Sequence, residues 1–142
     1  MQAICEGDIE ALEECLRQGW DPNETIDHLQ RFNGASLAAH IDNLEVLHCL
    51  DLHGADLSKG SGLHKNTPLM TALQRWNVRI IDYLMERGVD PTETDCYGFT
   101  AKRKAEIRNL RTISSMLDAY EKKYAARDSK FLTPVANQDW QV

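Results

Sequence analysis

The chain has 142 residues, 16 Lys+Arg against 22 Asp+Glu for a formal charge of -6, and 42% apolar residues. A chain of this length buries roughly 68–70% of its unfolded surface, so it can build a core without metal or disulfide staples, and its acidic balance argues against a general nucleic-acid binder. No apolar run reaches the ~18 residues of a membrane helix, and the N-terminus lacks the charged-then-apolar pattern of a signal peptide; a cytoplasmic protein is expected, with secretion as an effector without a classical signal peptide left open.

Compared with itself, the chain repeats. Segments 7–23, 42–58 and 76–92 align without gaps, and their glycines Gly19, Gly54 and Gly88 are spaced by 35 and 34 residues, each followed after one residue by Asp21, Asp56 or Asp90. A second series, Thr67, Thr100 and Thr133, recurs every 33 residues, with Asp95 and Asp128 five residues before the latter two.

The elements follow in chain order from that frame. Gly7 breaks the chain before a first helix that stops at Gly19, a residue suited to the left-handed C-cap. Asn33-Gly34 stands where a threonine and proline start the later helix, and the next apolar-periodic helix stops at Gly54. Gly60-Ser61-Gly62 is a turn spacer. Thr67-Pro68 opens a short helix over 69–75, the hydroxyl capping free N–H groups and the proline filling the first helical position. After Trp76, apolar Val78, Ile81, Tyr83, Leu84 and Met85 at helical spacing predict a helix ending at Gly88. Asp90-Pro91 leads through an extended turn to Tyr97-Gly98 and Thr100, where the next helix starts. In the fourth unit Glu121 replaces the helix-ending glycine, so its second helix is expected to run on through Tyr124.

A unit of helix, turn, helix and hairpin with this period and these T-P-L positions resembles the ankyrin repeat family. The resemblance implies an all-α solenoid of helix-turn-helix units linked by hairpin loops, one domain over 1–142. Its repeats fall at about 1–26, 27–61, 62–94 and 95–127, with a partial capping repeat at 128–142, in which Phe131, Leu132 and Trp140 are expected to cover the end of the stack. Lys102 and Lys104 stand where the family has leucines, and Gly62 and Lys65 replace the aspartate and glycine of the third hairpin. The first unit carries a charge of -7 over 1–27 and the last +3 over 95–142, so the stack is expected to be acidic at one end and basic at the other. The acidic end suits either a solvated cap or the steering of a basic partner.

In proteins of this family the hairpin tips and the exposed ends of the first helices meet partners. The resemblance places Leu29, Gln30, Phe32, Leu63, His64 and Asn66 in the hairpin set, with Cys96, Tyr97 and Phe99. It places Cys5, Glu6, His40, Ile41, Gln74 and Arg75 in the helix set, with Ile107 and Arg108. Trp76, where a glycine is usual, suits either packing or binding, and Phe32 and Phe99 either binding or folding back on the next hairpin. The partner expected is another protein, met by a monomer that needs no cofactor.

Catalytic kits are missing from the sequence. There is no GxSxG, phosphate loop or GxGxxG, and His48 and His53, five apart, miss the four-residue step of a zinc helix. His40, His64 and Cys96 form a weak metal alternative. Cys5, Cys15, Cys49 and Cys96 form no CxxC pair and read as reduced thiols, Cys15 and Cys49 as small buried hydrophobes. A nucleic-acid or acidic-partner alternative rests on Lys102-Arg103-Lys104 with Arg108, Arg111 and Lys122-Lys123.

Overall fold

The computed structural model describes residues 4, 6–25 and 31–132, with side chains through 126. Cys5, His28, Leu29, Gln30, Thr133 and Trp140 lie outside the described residues, as do the side chains of Phe131 and Leu132. Seven helices are described: α1 (Ile9–Arg17), α2 (Gly34–His40), α3 (Leu44–Leu52), α4 (Pro68–Gln74), α5 (Val78–Glu86), α6 (Ala101–Ile107) and α7 (Arg111–Leu132). With no strand among the described residues, the fold is the all-α stack of helix pairs that the sequence implied.

Side chains set where the helices begin. Asp8, Asn33, Asn43, Thr67, Asn77 and Thr100 each accept the backbone N–H three residues on, at 2.9–3.2 Å, which satisfies a donor that the first helical turn leaves free. In α7 the equivalent position is Leu110, which packs against the core instead of capping. Between the helices of each pair the chain turns through a left-handed residue, Gly7 (φ 70°), Asp42 (61°), Trp76 (57°) or Asn109 (59°).

The second helices end alike. Gly19, Gly54 and Gly88 have φ of 99°, 88° and 81°, and the next residue donates back to the last turn: Trp20 N to Cys15 O (3.1 Å), Ala55 N to Leu50 O (3.0 Å) and Val89 N to Leu84 O (3.3 Å). The repeated aspartate then folds the following turn, Asp21, Asp56 and Asp90 each accepting the N–H two residues on at 2.8–2.9 Å. Successive units are stitched there, with Asp56 N donating to Asn23 Oδ1 (2.6 Å) and Asp90 N to Ser58 Oγ (3.1 Å). No glycine interrupts α7, which runs 22 residues to Leu132. It passes Tyr124 and continues through 128–132, where the repeat frame expects a hairpin.

First helices form one layer, α2 packed on α4 and α4 on α6, and second helices the other. Small residues at the seam, Ala38, Ala39, Ala72, Ala101 and Ala105, let the first helices approach, and Leu37, Leu47, Leu50, Met70, Leu73 and Leu117 fill the space between layers. On α5 the buried stripe is Ile80, Ile81 and Leu84, while Val78 is 45% exposed. Each fully buried aliphatic side chain contributes about 1.5–3 kcal/mol.

Candidate partner-binding face

Hairpins and first-helix ends lie side by side, so equivalent residues of successive units form rows. The hairpins are joined by backbone bonds, Gly62 N to Arg31 O (3.0 Å) and Cys96 N to His64 O (2.9 Å). Within the third, Ser61 pairs with Asn66, and Lys65 takes the left-handed conformation (φ 55°) that glycine would favour; its turn is regular despite the departures in sequence.

The expected site residues divide into two groups. His64, Gln74, Arg75, Trp76, Tyr97, Phe99 and Arg108 are exposed, whereas Phe32, His40, Ile41 and Asn66 are half-buried. Phe32 packs on the core and against His40, ring centroids 5.3 Å apart. His64 and Tyr97 stack at 5.6 Å, with the tyrosine hydroxyl 3.4 Å from Nδ1. Tyr97 (66% exposed), Trp76 (63%), Ile107 (56%) and Phe99 (39%) present apolar surface to solvent. Gln74, Tyr97, Phe99, Ile107 and Arg108 meet around a pocket of about 280 Å³ whose floor includes Leu73; Phe32, His40, Ile41, His64, Asn66, Arg75 and Trp76 do not line it.

Asp95, which the sequence did not single out as a site, and Lys104, which it read as part of the basic run, complete that pocket. Asp95 Oδ1 accepts from Tyr97 N and Phe99 N, both at 2.9 Å. Its other oxygen lies 2.7 Å from Lys104 Nζ, and its side chain is wholly buried. Burial by itself pushes the Asp95 carboxyl up, but Lys104 and the two amides outweigh it and hold it below the usual aspartate range. The pair fixes the fourth hairpin that carries Tyr97 and Phe99.

The basic run is largely engaged within the chain. Lys102 pairs with Asp118 (3.0 Å) and Glu121 (3.9 Å), Arg103 with Glu106 (3.5 Å), Lys104 with Asp95, and Lys122 with Asp118 (3.2 Å). Arg75 and Arg108 have no ion-pair partner among the described residues.

On the opposite layer, α3 and α5 are clamped. Tyr83 donates to Asp51 Oδ2 (2.6 Å), Arg87 Nε lies 2.6 Å from the same oxygen, and His48 Nδ1 is 3.0 Å from the tyrosine hydroxyl. Burial, then the Asp51 bond, raises the Tyr83 phenol well above its ordinary value. One unit later these four positions carry Asp82, Met85, Met116 and Tyr120. They line a groove of about 570 Å³ with Glu86, Ala119, Lys123 and Tyr124, while the Tyr120 hydroxyl donates to Val89 O. Among the described residues no three His, Cys, Asp or Glu gather as metal ligands, and no helix is long and apolar enough to cross a membrane.

A family model described as ankyrin repeats in three copies matches residues 1–95. A palmitoyltransferase, AKR1 of Lachancea kluyveri, is 33% identical over 98 residues, 68% of this chain and 13% of the relative. A potassium channel, AKT1 of Arabidopsis thaliana, is 30% identical over 92 residues, 65% of this chain and 11% of the relative. The chain thus spans about an eighth of these relatives, and the transferase and channel activities in their names belong to those proteins.

Proposed function

The chain belongs to the ankyrin-repeat family, and on that premise we propose that it is a non-catalytic protein-interaction module, one partner protein seating on the hairpin and first-helix face. The observation that carries this reading is the exposed apolar and aromatic surface of Tyr97, Phe99 and Ile107 around a formed pocket. Aromatic and arginine side chains of this kind dominate binding energies at interfaces. A surface already formed by hydrogen-bonded hairpins loses little order on binding. Occlusion or scaffolding is the mechanism: the module covers a surface of its partner or holds it beside another, as an inhibitor, immunity protein, adaptor or effector does.

Affinity capture from the native cell with the immobilised protein tests the reading. A retained partner lost on Tyr97→Ala with Phe99→Ala, at unchanged melting temperature, supports it; each truncation at a hot spot costs about 2 kcal/mol or more, a factor near 30. Retention unaffected by the double substitution refutes this face as the binding surface.

A further inference from the structure

The protein-binding reading leaves the partner's chemistry open, and the charges around the pocket narrow it. Resting on that reading, we propose that the pocket takes an apolar side chain from an acidic partner segment, with Arg75 and Arg108 receiving the flanking carboxylates.

Arg75 and Arg108 occupy the same position in consecutive units, each the residue that ends a first helix, Arg75 after α4 and Arg108 after α6. Adjacent packed helices lie about 8–10 Å apart, so the two residues stand one unit apart along the row, Arg108 in the lining of the pocket and Arg75 next in sequence to its lining residue Gln74. Both are exposed, and neither has a counter-ion among the described residues. Their neighbours differ: Lys102, Arg103, Lys104 and Lys122 each have a carboxylate of this chain within 4.0 Å. The carboxylate at the pocket, Asp95, is enclosed and neutralised by Lys104, so an incoming acid meets no free negative charge there. Guanidinium suits the role because its planar donors match a carboxylate two by two.

The pocket itself selects an apolar group. Its floor residue Leu73 is fully buried, and Phe99, Ile107 and the Tyr97 ring wall it. At about 280 Å³ it falls below the ~300–1,000 Å³ of small-molecule sites and fits a single large side chain. A polyphosphate backbone is the poorer match, because such ligands are held by a run of free cations and Lys102, Arg103, Lys104 and Lys122 of this run are already paired with carboxylates of the chain.

The test is selection of a displayed library of random 12-residue peptides on the folded protein, with sequencing of the enriched pool. The expected pool carries Phe, Trp, Leu or Met flanked by Asp or Glu, enriched about tenfold over the input. Arg75→Glu with Arg108→Glu is expected to turn the flanks to Lys and Arg, and Phe99→Ala with Ile107→Ser to erase the apolar position. All four residues are exposed, so circular dichroism and melting should match the parent protein. A pool with neutral or basic flanks, no enrichment over a protein-free control, an acid preference unchanged by the charge reversal, or displacement of selected peptides by a single-stranded oligonucleotide at micromolar concentration overturns the proposal. Capture of a native partner that needs Tyr97 and Phe99 but ignores the charge reversal defeats this inference and leaves the protein-binding reading standing. Capture indifferent to both sets defeats both.

Discussion

Asp95 and Lys104 should behave as one energetic unit. Asp95→Asn keeps an acceptor for the Tyr97 and Phe99 amides, but leaves Lys104, 18% exposed in its side chain, without its counter-ion. Lys104→Met leaves a wholly buried carboxylate with two N–H donors and no cation. Breaking a buried pair by removing one partner costs about 3–5 kcal/mol; the retained amides and the partial exposure of Lys104 bring each single substitution to about 2 kcal/mol. The double variant removes both charges together and should lose only about 1 kcal/mol, a coupling of about 3 kcal/mol. Equilibrium urea unfolding at pH 7, with the m-value constant across the set, measures it. The pH dependence has a definite sign: the folded carboxyl is depressed, so its contribution is complete above the ordinary aspartate value of about 3.9 and is lost as pH falls through the lower folded value. Asp95→Asn should therefore flatten the acid limb of the stability curve. Single substitutions that simply add, or an unchanged acid limb, refute the pairing argument.

Other expectations concern the same scaffold. Tyr83→Phe removes the bond to Asp51 and should cost about 1–1.5 kcal/mol in urea unfolding, because Arg87 still neutralises the acid. Asn77→Ala strips the cap of α5 and the bond from its amide to Asp42, so a loss of about 1–2 kcal/mol is expected in thermal unfolding. Gly60→Ala places a Cβ 2.4 Å from the Lys65 carbonyl oxygen; the hairpin must shift, at about 1–3 kcal/mol, and exchange of the Ser61 amide, which donates to Asn66 O, should accelerate.

Much of the stack was legible because its signals are local. Thr67 and Thr100 cap helices, Gly19, Gly54 and Gly88 turn the chain, and Glu121 fails to, each a matter of one residue's own backbone or hydroxyl. The caps Asn43 and Asn77 were equally readable, as asparagines just before an apolar-periodic run, and were missed. Contacts between units are another matter. Lys104 looked like a departure from pattern until Asp95 was placed beneath it. Phe32 looked like a match for Phe99, yet its ring is engaged by His40 and the core. Met85, Met116 and Tyr120 carry the spacing of buried residues; only the positions of α5 and α7 reveal that they line an open groove.

The exchange of the polar clamp for that groove gives the stack a weak seam. Local opening in a linear array depends on what joins each neighbour to the next; the second and third units share the charged Asp51 crosslink, whereas at the same positions a neutral bond from the Tyr120 hydroxyl to Val89 O joins the third and fourth, and charge-assisted bonds are the stronger kind. Under heat or pulling force the array should therefore part at this boundary first, shedding α6 and α7 together while the earlier pairs stay zipped. The shed portion includes the hairpin of Tyr97 and Phe99, so an occupant of the pocket these residues share with Leu73 and Gln74 of the third unit would span the seam and hold it shut.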